Sequence, residues 1–259
     1  MTDTPARDPF AALRAATPAR VGLGRAGQGL PTAPMLAFQL AHARARDAVH
    51  TTLDIARLRD ALAGDTLVVR GAADDRAAYL MDPDLGRRLG PDSPTLPRGV
   101  HDLAIVVADG LSALAVHAHA AAVVTALSAR LTGWRIAPVV IARLGRVAIG
   151  DPIGAALGAR HVVVLIGERP GLSAADSLGA YITFDPKPGR RDSERNCVSN
   201  IREPGGLSPD QGADKIAWLL TEARRLGFTG VELKDREIAA QLNDQAAIRA
   251  SQSFNTPST

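Results

Sequence analysis

Continuous apolar runs alternate with amphipathic stretches in the second half of the chain. The apolar runs are typical of strands buried on both faces, and they predict strands at residues 103–108, 136–141 and 162–166. Residues 181–184 and 197–201 are two more strand candidates. Helical spacing of apolar residues predicts helices between them, at about 112–131 and 152–157. This alternation predicts an α/β fold with a doubly wound, mainly parallel, Rossmann-like sheet.

The last predicted helix has the clearest ends. Ser208 suits the N-cap, Pro209 suits the first helical position, and Gln211 completes a capping box with Ser208. Gly227 fits the position just after the last turn. The chain turns polar from about residue 237, where we expect it to fray.

The first half of the chain is mainly helical by the same criteria, with one short strand. Residues 34–49 and 55–62 have helical spacing, 67–69 form a strand candidate, and a short helix begins at 82–84. Residues 90–99 then hold three prolines and two glycines, which indicates a linker. We therefore predict a smaller, mainly helical domain over residues 1–97 and a Rossmann-like domain over residues 98–259.

Composition narrows the class of protein. The chain has 259 residues, of which 46% are hydrophobic and 22% are charged, and this excludes a wholly disordered protein. Cys197 is the only cysteine, so no disulfide can form within the chain and a reduced, cytoplasmic protein is expected. The first ten residues lack the apolar core of a secretory signal, and no apolar run approaches the length of a membrane span, so we expect no membrane partner.

The net charge of +3 would be compatible with a protein that binds nucleic acid. All but three of the 30 basic residues are arginine, and the chain is rich in alanine, which is typical of a GC-rich genome. Aromatic residues make up only 3%, and the densest basic cluster, Arg190, Arg191 and Arg195, is interrupted by Asp192 and Glu194. Nucleic-acid-binding proteins usually cluster their charge and add aromatic residues for stacking, so we expect no nucleic-acid partner.

The common nucleotide-binding and metal-binding motifs are either absent from the sequence or lack the secondary structure that they require. Residues 22–27 match G-x-G-x-x-G, but no strand precedes the glycines, which favours a structured loop over a dinucleotide site. The sequence contains no P-loop and no H-E-x-x-H motif. His117 and His119 are two residues apart on a predicted helix, so they point in different directions and cannot clasp one metal. We predict no metal site formed by this chain.

Ligands of doubly wound sheets bind beyond the carboxyl ends of the strands, and these ends carry the candidate residues. Glu168 follows an apolar strand, where a carboxylate needs a partner: either an ion pair with Arg169 or Arg143, or a ligand. Cys197 is by default a small buried hydrophobic residue, and a catalytic thiolate would need a base nearby. Asp109 either touches a ligand or caps the helix that follows it.

These post-strand segments carry a resemblance to a known family. The matching stretches run in order through the chain and cover about residues 8–230; they are residues 19–27, 84–89, 109–112, 145–147, 153–158, 167–172 and 197–201. Together they resemble the small (light) subunit of ethanolamine ammonia-lyase, an adenosylcobalamin-dependent enzyme. The resemblance also identifies residues 24–27 with a family loop.

The resemblance implies a function and a site. The family's enzyme converts ethanolamine to acetaldehyde and ammonia by a radical mechanism, and a separate large subunit with a barrel fold carries the substrate site. The small subunit is implied to enclose part of the cobalamin through Val147, Glu168 and Cys197, with no catalytic residue of its own. No D-x-H-x-x-G motif is present, so this chain is not expected to supply a histidine to cobalt.

Three further expectations accompany the resemblance. The family is often placed in bacterial microcompartments through an N-terminal extension, which this chain nearly lacks, so both a cytoplasmic and a microcompartment location stay open. A self-contained α/β enzyme acting on a phosphorylated or nucleotide substrate is the rival among enzymes. An arginine-rich nucleic-acid-binding module is the rival among binding proteins.

Overall fold

A computed structural model describes residues 8–17, 19–62 and 64–234, so the fraying expected from residue 237 lies outside the described residues. Its centre is a six-stranded sheet with the strand order β1-β3-β2-β4-β5-β6. The strands are β1 (Thr66–Arg70), β2 (His101–Ala108), β3 (Val139–Arg143), β4 (Ala159–Gly167), β5 (Leu178–Phe184) and β6 (Arg195–Ile201).

The α/β class is confirmed, but the sheet is mixed. β1, β3, β2 and β4 are parallel neighbours, whereas β5 is antiparallel to β4 and β6 is antiparallel to β5. No described helix separates β4 from β5, and a connection without a crossover helix returns the chain antiparallel. Two antiparallel steps give β6 the direction of β4, so the carboxyl ends of β2, β3, β4 and β6 lie at one edge.

The sheet contains strands from before and after the proline-rich segment 90–99. β1 precedes that segment and pairs in parallel register with β3, from Thr66 opposite Val139 to Arg70 opposite Arg143. The predicted strand at 67–69 therefore exists and forms one edge of the sheet. The division into domains at residue 97 stays a prediction.

Helices cover both faces of the sheet. The first half contributes α1 (Ala11–Ala16), α2 (Thr32–His50), α3 (Ile55–Leu62) and α4 (Arg76–Met81). The second half contributes α5 (Ala113–Ala115), a π-helical turn (Val116–Ala120), α6 (Ala121–Arg130), α7 (Gly150–Leu157) and α8 (Pro209–Leu226). Ser208 and Gln211 form the predicted capping box of α8, and Gly227 follows it with a left-handed backbone, φ 80°.

The apolar strand β2 shows how the sequence pattern produces two cores. Its residues Leu103, Ile105 and Val107 pack with α3, α6 and α8, and its alternate residues Ala104, Val106 and Ala108 pack with α7. All are fully buried, as the continuous apolar run predicts.

Among the residues that the structure describes, one helical segment is long and apolar enough to span a membrane by length and composition alone. Its 18 residues, Ala113–Arg130, have a mean hydropathy of 1.2. Their buried side chains belong to the core between the sheet and α8, and a core helix has the same composition.

The start of β2 provides a test of how pH affects stability. The buried carboxylate of Asp102 accepts hydrogen bonds from the side chain (3.2 Å) and the backbone N–H (3.0 Å) of Arg135, and the side-chain bond contributes most to lowering the pKa of Asp102 to about 2. A pKa below the unfolded value means that the charged group stabilises the fold above about pH 4 and that this contribution is lost as the pH falls towards 2.

We expect Asp102→Asn to lower the free energy of unfolding by about 1–2 kcal/mol at pH 7, since solvent screens the exposed Arg135. The difference from the unmodified protein should shrink at pH 3 and below. Urea unfolding of both proteins at pH 7 and pH 3 measures it. An equal difference at the two pH values would show that the charge of Asp102 is not the cause.

Candidate functional site

A cleft of about 710 Å³ opens at the predicted carboxyl edge of the sheet. The loops after β2, β3 and β4 form much of its wall, and the described residues that line it include Leu111, Val147, Ala148, Ile166, Tyr79, Tyr181, Arg87, Arg146, Glu168, Arg169, Asp192 and Ser199. Its volume lies within the range of small-molecule sites, and its lining combines apolar surface with a few charged groups. The cleft is therefore the candidate ligand site.

Glu168 lies in this cleft as a half-buried carboxylate with neutral partners. Oε2 accepts from the Ser177 hydroxyl (2.5 Å) and the Asn200 backbone N–H (3.2 Å), and Oε1 accepts from the Ser199 hydroxyl (2.5 Å). Among the described residues it forms no ion pair with Arg169 or Arg143, so the ion-pair alternative is wrong. A carboxylate accepts about four hydrogen bonds, so Oε1 keeps capacity for one more donor.

The loop between β4 and β5 is held firmly around this carboxylate. Ser112 donates to the carbonyl of Ala175 (2.8 Å), and Arg202 donates to Asp176 (3.1 Å). Gly179 leaves the space that Glu168 occupies, because a Cβ at residue 179 would lie 2.9 Å from Oε1. The position of the carboxylate is thus set by three segments that are distant in sequence.

Tyr79 and Arg146 form another wall, which comes partly from the first half of the chain. The Tyr79 hydroxyl donates to the carbonyl of Gly145 (3.0 Å), and the Arg146 guanidinium lies 4.3 Å from the centre of the Tyr79 ring. The Arg146 backbone N–H donates to Gly86 (2.7 Å). This packing ties α4 to the loop after β3, on which Val147 begins a 3-10 helix and presents apolar surface to the cleft.

Asp109 contacts the loop after β3 on the side away from the cleft. Its buried carboxylate accepts from the Gly145 N–H (3.2 Å) and lies 3.4 Å from Arg76. Burial raises the pKa of Asp109, and the charge of Arg76 opposes that shift. Asp109 does not line the cleft, and the residue that caps α5 is Ser112, whose hydroxyl accepts from the Ala115 N–H.

Cys197 lies at the margin of the cleft, beside one of its lining residues. It is opposite Tyr181, a cleft-lining residue, in the β5–β6 register. The residue as a whole is exposed, so the default expectation of a buried cysteine is wrong. Desolvation around the sulfur nevertheless raises the pKa of the thiol, and the negative charge of Glu168 adds to this shift. The thiol is therefore protonated at neutral pH, which suits a packing contact and not a nucleophile.

A buried ion pair joins two walls of the cleft region. Arg195, the first residue of β6, bonds both carboxylate oxygens of Asp151 on α7 at 2.7 Å, and each side chain is only 2% exposed. Arg195 also donates to Thr183 (2.8 Å). Two arginines of the basic cluster noted in the sequence are thus paired internally, since Arg190 contacts Asp185 and Glu194.

The remaining sequence motifs lie away from this chemistry. The glycines of residues 22–27 stand in a loop between α1 and α2, closed by hydrogen bonds between Ala26 and Gly29, and the structured-loop interpretation is confirmed. His117 accepts from the Asp54 N–H (3.0 Å), whereas His119 lies 4.0 Å from Asp176. Within residues 8–17, 19–62 and 64–234, no group of three or more His, Cys, Asp or Glu could hold a metal.

The structure brings the three predicted site residues to one region of the protein. Val147 and Glu168 line one cleft, and Cys197 adjoins it through Tyr181. Their cofactor role stays a prediction. Sequence reasoning missed Tyr79, and also Ser177 and Ser199 as partners of Glu168, because serine and tyrosine carry no local signal of the partner they will meet.

Comparison with known proteins gives a consistent result. Residues 7–234 match the protein family described as ethanolamine ammonia-lyase light chain. Relatives named ethanolamine ammonia-lyase small subunit include proteins of Azotobacter vinelandii, 53% identical over 91% of this chain and 92% of the relative, and Xanthomonas campestris, 52% identical over 95% of each. A protein of the same name from Bradyrhizobium diazoefficiens is 56% identical over 88% of this chain and 91% of its own.

Proposed function

Since the chain belongs to the ethanolamine ammonia-lyase light-chain family, we propose that it helps bind adenosylcobalamin at the cleft described above. As a small subunit it has a large-subunit partner, and the pair is proposed to convert ethanolamine to acetaldehyde and ammonia. The observation that carries the proposal is Glu168, a positioned carboxylate with capacity for one more donor at Oε1, on a partly apolar cleft.

The apolar and hydrogen-bonding groups of the cleft suit those of a cobalamin. A corrin ring is broad and apolar on its faces, and its rim carries amide groups whose N–H bonds suit a carboxylate acceptor. Val147 and Ile166 provide apolar contact, and Glu168 would accept from a rim amide. Cys197 would pack as a neutral thiol at the margin.

The cofactor supplies, when bound, a cobalt–carbon bond whose cleavage begins radical chemistry. This chain contributes binding, orientation and shielding from solvent, and none of its residues is assigned a catalytic role. A cleft open on one side covers only part of so large a molecule, so the rest of the enclosure is assigned to the large subunit. Closure of the site protects a reactive species from side reactions. The large subunit is further proposed to have a barrel fold and to carry the substrate site.

Reconstitution tests the proposal. The isolated chain should produce no acetaldehyde from ethanolamine, and neither should the large subunit in the absence of this chain. The two subunits mixed with adenosylcobalamin should produce acetaldehyde, measured by a coupled dehydrogenase assay. Absence of turnover from the complete mixture would overturn the assignment.

Separate assays on the isolated chain test the two rival functions. Turnover of a phosphorylated or nucleotide substrate by the chain alone would favour a self-contained enzyme. A salt-dependent gel shift with DNA or RNA would favour a nucleic-acid-binding module. We place the enzyme in the cytoplasm, with a bacterial microcompartment as the alternative, and cell fractionation followed by detection of this chain distinguishes the two.

A further inference from the structure

The three hydrogen-bond donors that hold Glu168 come from two separate segments of the chain. Ser177 lies on the loop between β4 and β5, whereas Ser199 and Asn200 lie near the end of β6. All three donors must keep their places for the carboxylate to present the same oxygen to the cleft. Any contact that joins the two segments therefore bears on the ligand site.

A β-bulge directs the two donors of β6 towards Glu168. The β5–β6 register shifts between residues 178 and 180, so Gly179 alone is opposite both Ser199 and Asn200. Bulges of this kind re-aim side chains and are frequent beside active sites. Asn200 has a left-handed backbone, φ 61°, which asparagine adopts more readily than most residues. Because a bulge locally disrupts the ladder of hydrogen bonds, contacts outside the ladder help to keep it in place.

An ion pair outside the sheet joins the bulge to the loop that carries Ser177. Arg202, two residues after Asn200, donates from Nε to Oδ1 of Asp176 (3.1 Å), and Asp176 directly precedes Ser177. The backbone N–H of Arg202 also donates to the carbonyl of Leu207 (2.9 Å), which fixes the backbone from which the guanidinium extends. The pair thus connects both segments that hold the carboxylate.

Arg202 is the partner that decides the position of Asp176. The second carboxylate oxygen, Oδ2, lies 4.0 Å from Nε2 of His119 on the π-helical turn, which is too far for a hydrogen bond. The side chain of Arg202 is 15% exposed and that of Asp176 is 38% exposed, and ion pairs open to solvent add little to global stability. The main effect of the pair is therefore local, on the two segments that it joins.

We propose that Asp176 and Arg202 are positioning residues of the ligand cleft that act through Glu168. Neither residue lines the cleft. Their ion pair keeps the loop before β5 and the bulge of β6 at the separation at which all three donors meet the carboxylate, and at which Oε1 keeps its capacity for a donor on the ligand. The inference rests on the proposed cofactor role of Glu168 and assigns two residues that support it from outside the cleft.

The test is an equilibrium titration of the assembled enzyme with adenosylcobalamin, followed by its absorption spectrum. Asp176→Asn should weaken cofactor binding by about three- to tenfold, less than Glu168→Ala, because the carboxylate of Glu168 is displaced but not removed. In a Glu168→Ala background the same substitution should cause no further loss, since effects that pass through one group are not additive. Ser177→Ala leaves the two segments joined, so its effect should be smaller. Arg202→Lys keeps a charged donor and should retain most of the affinity.

A second measurement, on the chain without cofactor, follows the two segments directly. Amide hydrogen exchange of residues 173–178 and 199–207 should be faster in Asp176→Asn than in the unmodified protein, because the contact that joins them is lost. Arg130→Gln is the matched control: Arg130 pairs with Asp214 (2.5 Å) between α6 and α8, is 27% exposed, and does not line the cleft. It should change neither the exchange of these segments nor the cofactor affinity.

Two results would overturn the proposal and leave the cofactor role of Glu168 standing. One is an additive loss of affinity when Asp176→Asn and Glu168→Ala are combined, and the other is unchanged affinity of Asp176→Asn while Glu168→Ala binds weakly. Unchanged affinity of Glu168→Ala would count against the proposed cofactor role and this inference together. If Asp176→Asn does not assemble, Arg202→Gln removes the same hydrogen bond from its other side and the same outcomes apply.

Discussion

Arg195→Met is expected to lower the free energy of unfolding by about 3–5 kcal/mol, measured by urea denaturation at pH 7. The substitution leaves the carboxylate of Asp151, which is 2% exposed, without the guanidinium that bonds both of its oxygens. A buried charge without its partner is the costly state, more so than the absence of both groups.

Two further variants identify the cause of this loss. Arg190→Met removes a neighbouring arginine whose ion-pair partners are 37% and 57% exposed, so it should cost under about 1 kcal/mol. The double variant Asp151→Leu/Arg195→Met should recover part of the stability, because no unpaired charge remains. Equal losses for Arg190→Met and Arg195→Met would contradict the role given to burial.

The same ion pair has a consequence for the ligand site. Arg195 begins the strand that carries Cys197 and Ser199, and Asp151 lies in the first turn of the helix that follows Val147. The pair therefore helps set the separation between two sides of the cleft. A folded Arg195→Met protein should bind cofactor more weakly in the assembled enzyme, even though Arg195 does not line the cleft.

Glu168→Ala is expected to lower cofactor affinity in the assembled enzyme by about 1.5–3 kcal/mol, or roughly 10–150-fold. The reason is the loss of the charge-assisted hydrogen bond for which Oε1 has capacity. Equilibrium titration of the complex with adenosylcobalamin, followed by its absorption spectrum, measures this loss. Unchanged affinity would remove Glu168 from the site.

Glu168 also has a structural role, so controls must separate the two effects. Ser177→Ala removes one donor to the carboxylate and should cost about 1 kcal/mol of stability with little change in cofactor affinity. Glu168→Gln keeps the size and one acceptor but loses the charge, so its affinity should lie between those of Glu168→Ala and the unmodified protein. Equal loss of affinity in Ser177→Ala and Glu168→Ala would indicate a purely structural role.

Local pattern alone predicted much of the fold. Apolar runs located β2, β3 and β4, since a strand buried on both faces must be apolar throughout, and the shorter candidates at 67–69, 181–184 and 197–201 correspond to β1, β5 and β6. The capping residues placed both ends of α8. The edge of the sheet that carries the cleft also followed from the sequence, because helices between parallel strands bring their carboxyl ends together.

Periodicity alone did not decide how the strands pair. It reports how deeply a strand is buried but not which neighbour it pairs with; the signal for antiparallel β5 and β6 was the lack of a predicted helix after residues 162–166 and 181–184. The same limit hid the place of β1 at the edge of the sheet, next to β3.

The order of residues along the chain was thus enough to predict the fold class, most strand and helix segments and, through the resemblance, the family and the residues to inspect. The contacts of those residues emerge only when the chain is folded. Glu168 contacts Ser177, Ser199 and Asn200 and no arginine, and Arg195 is buried against Asp151 and does not join an exposed basic patch. Such partners are 9 to 44 residues apart, so only the packing of strands and loops in space selects them.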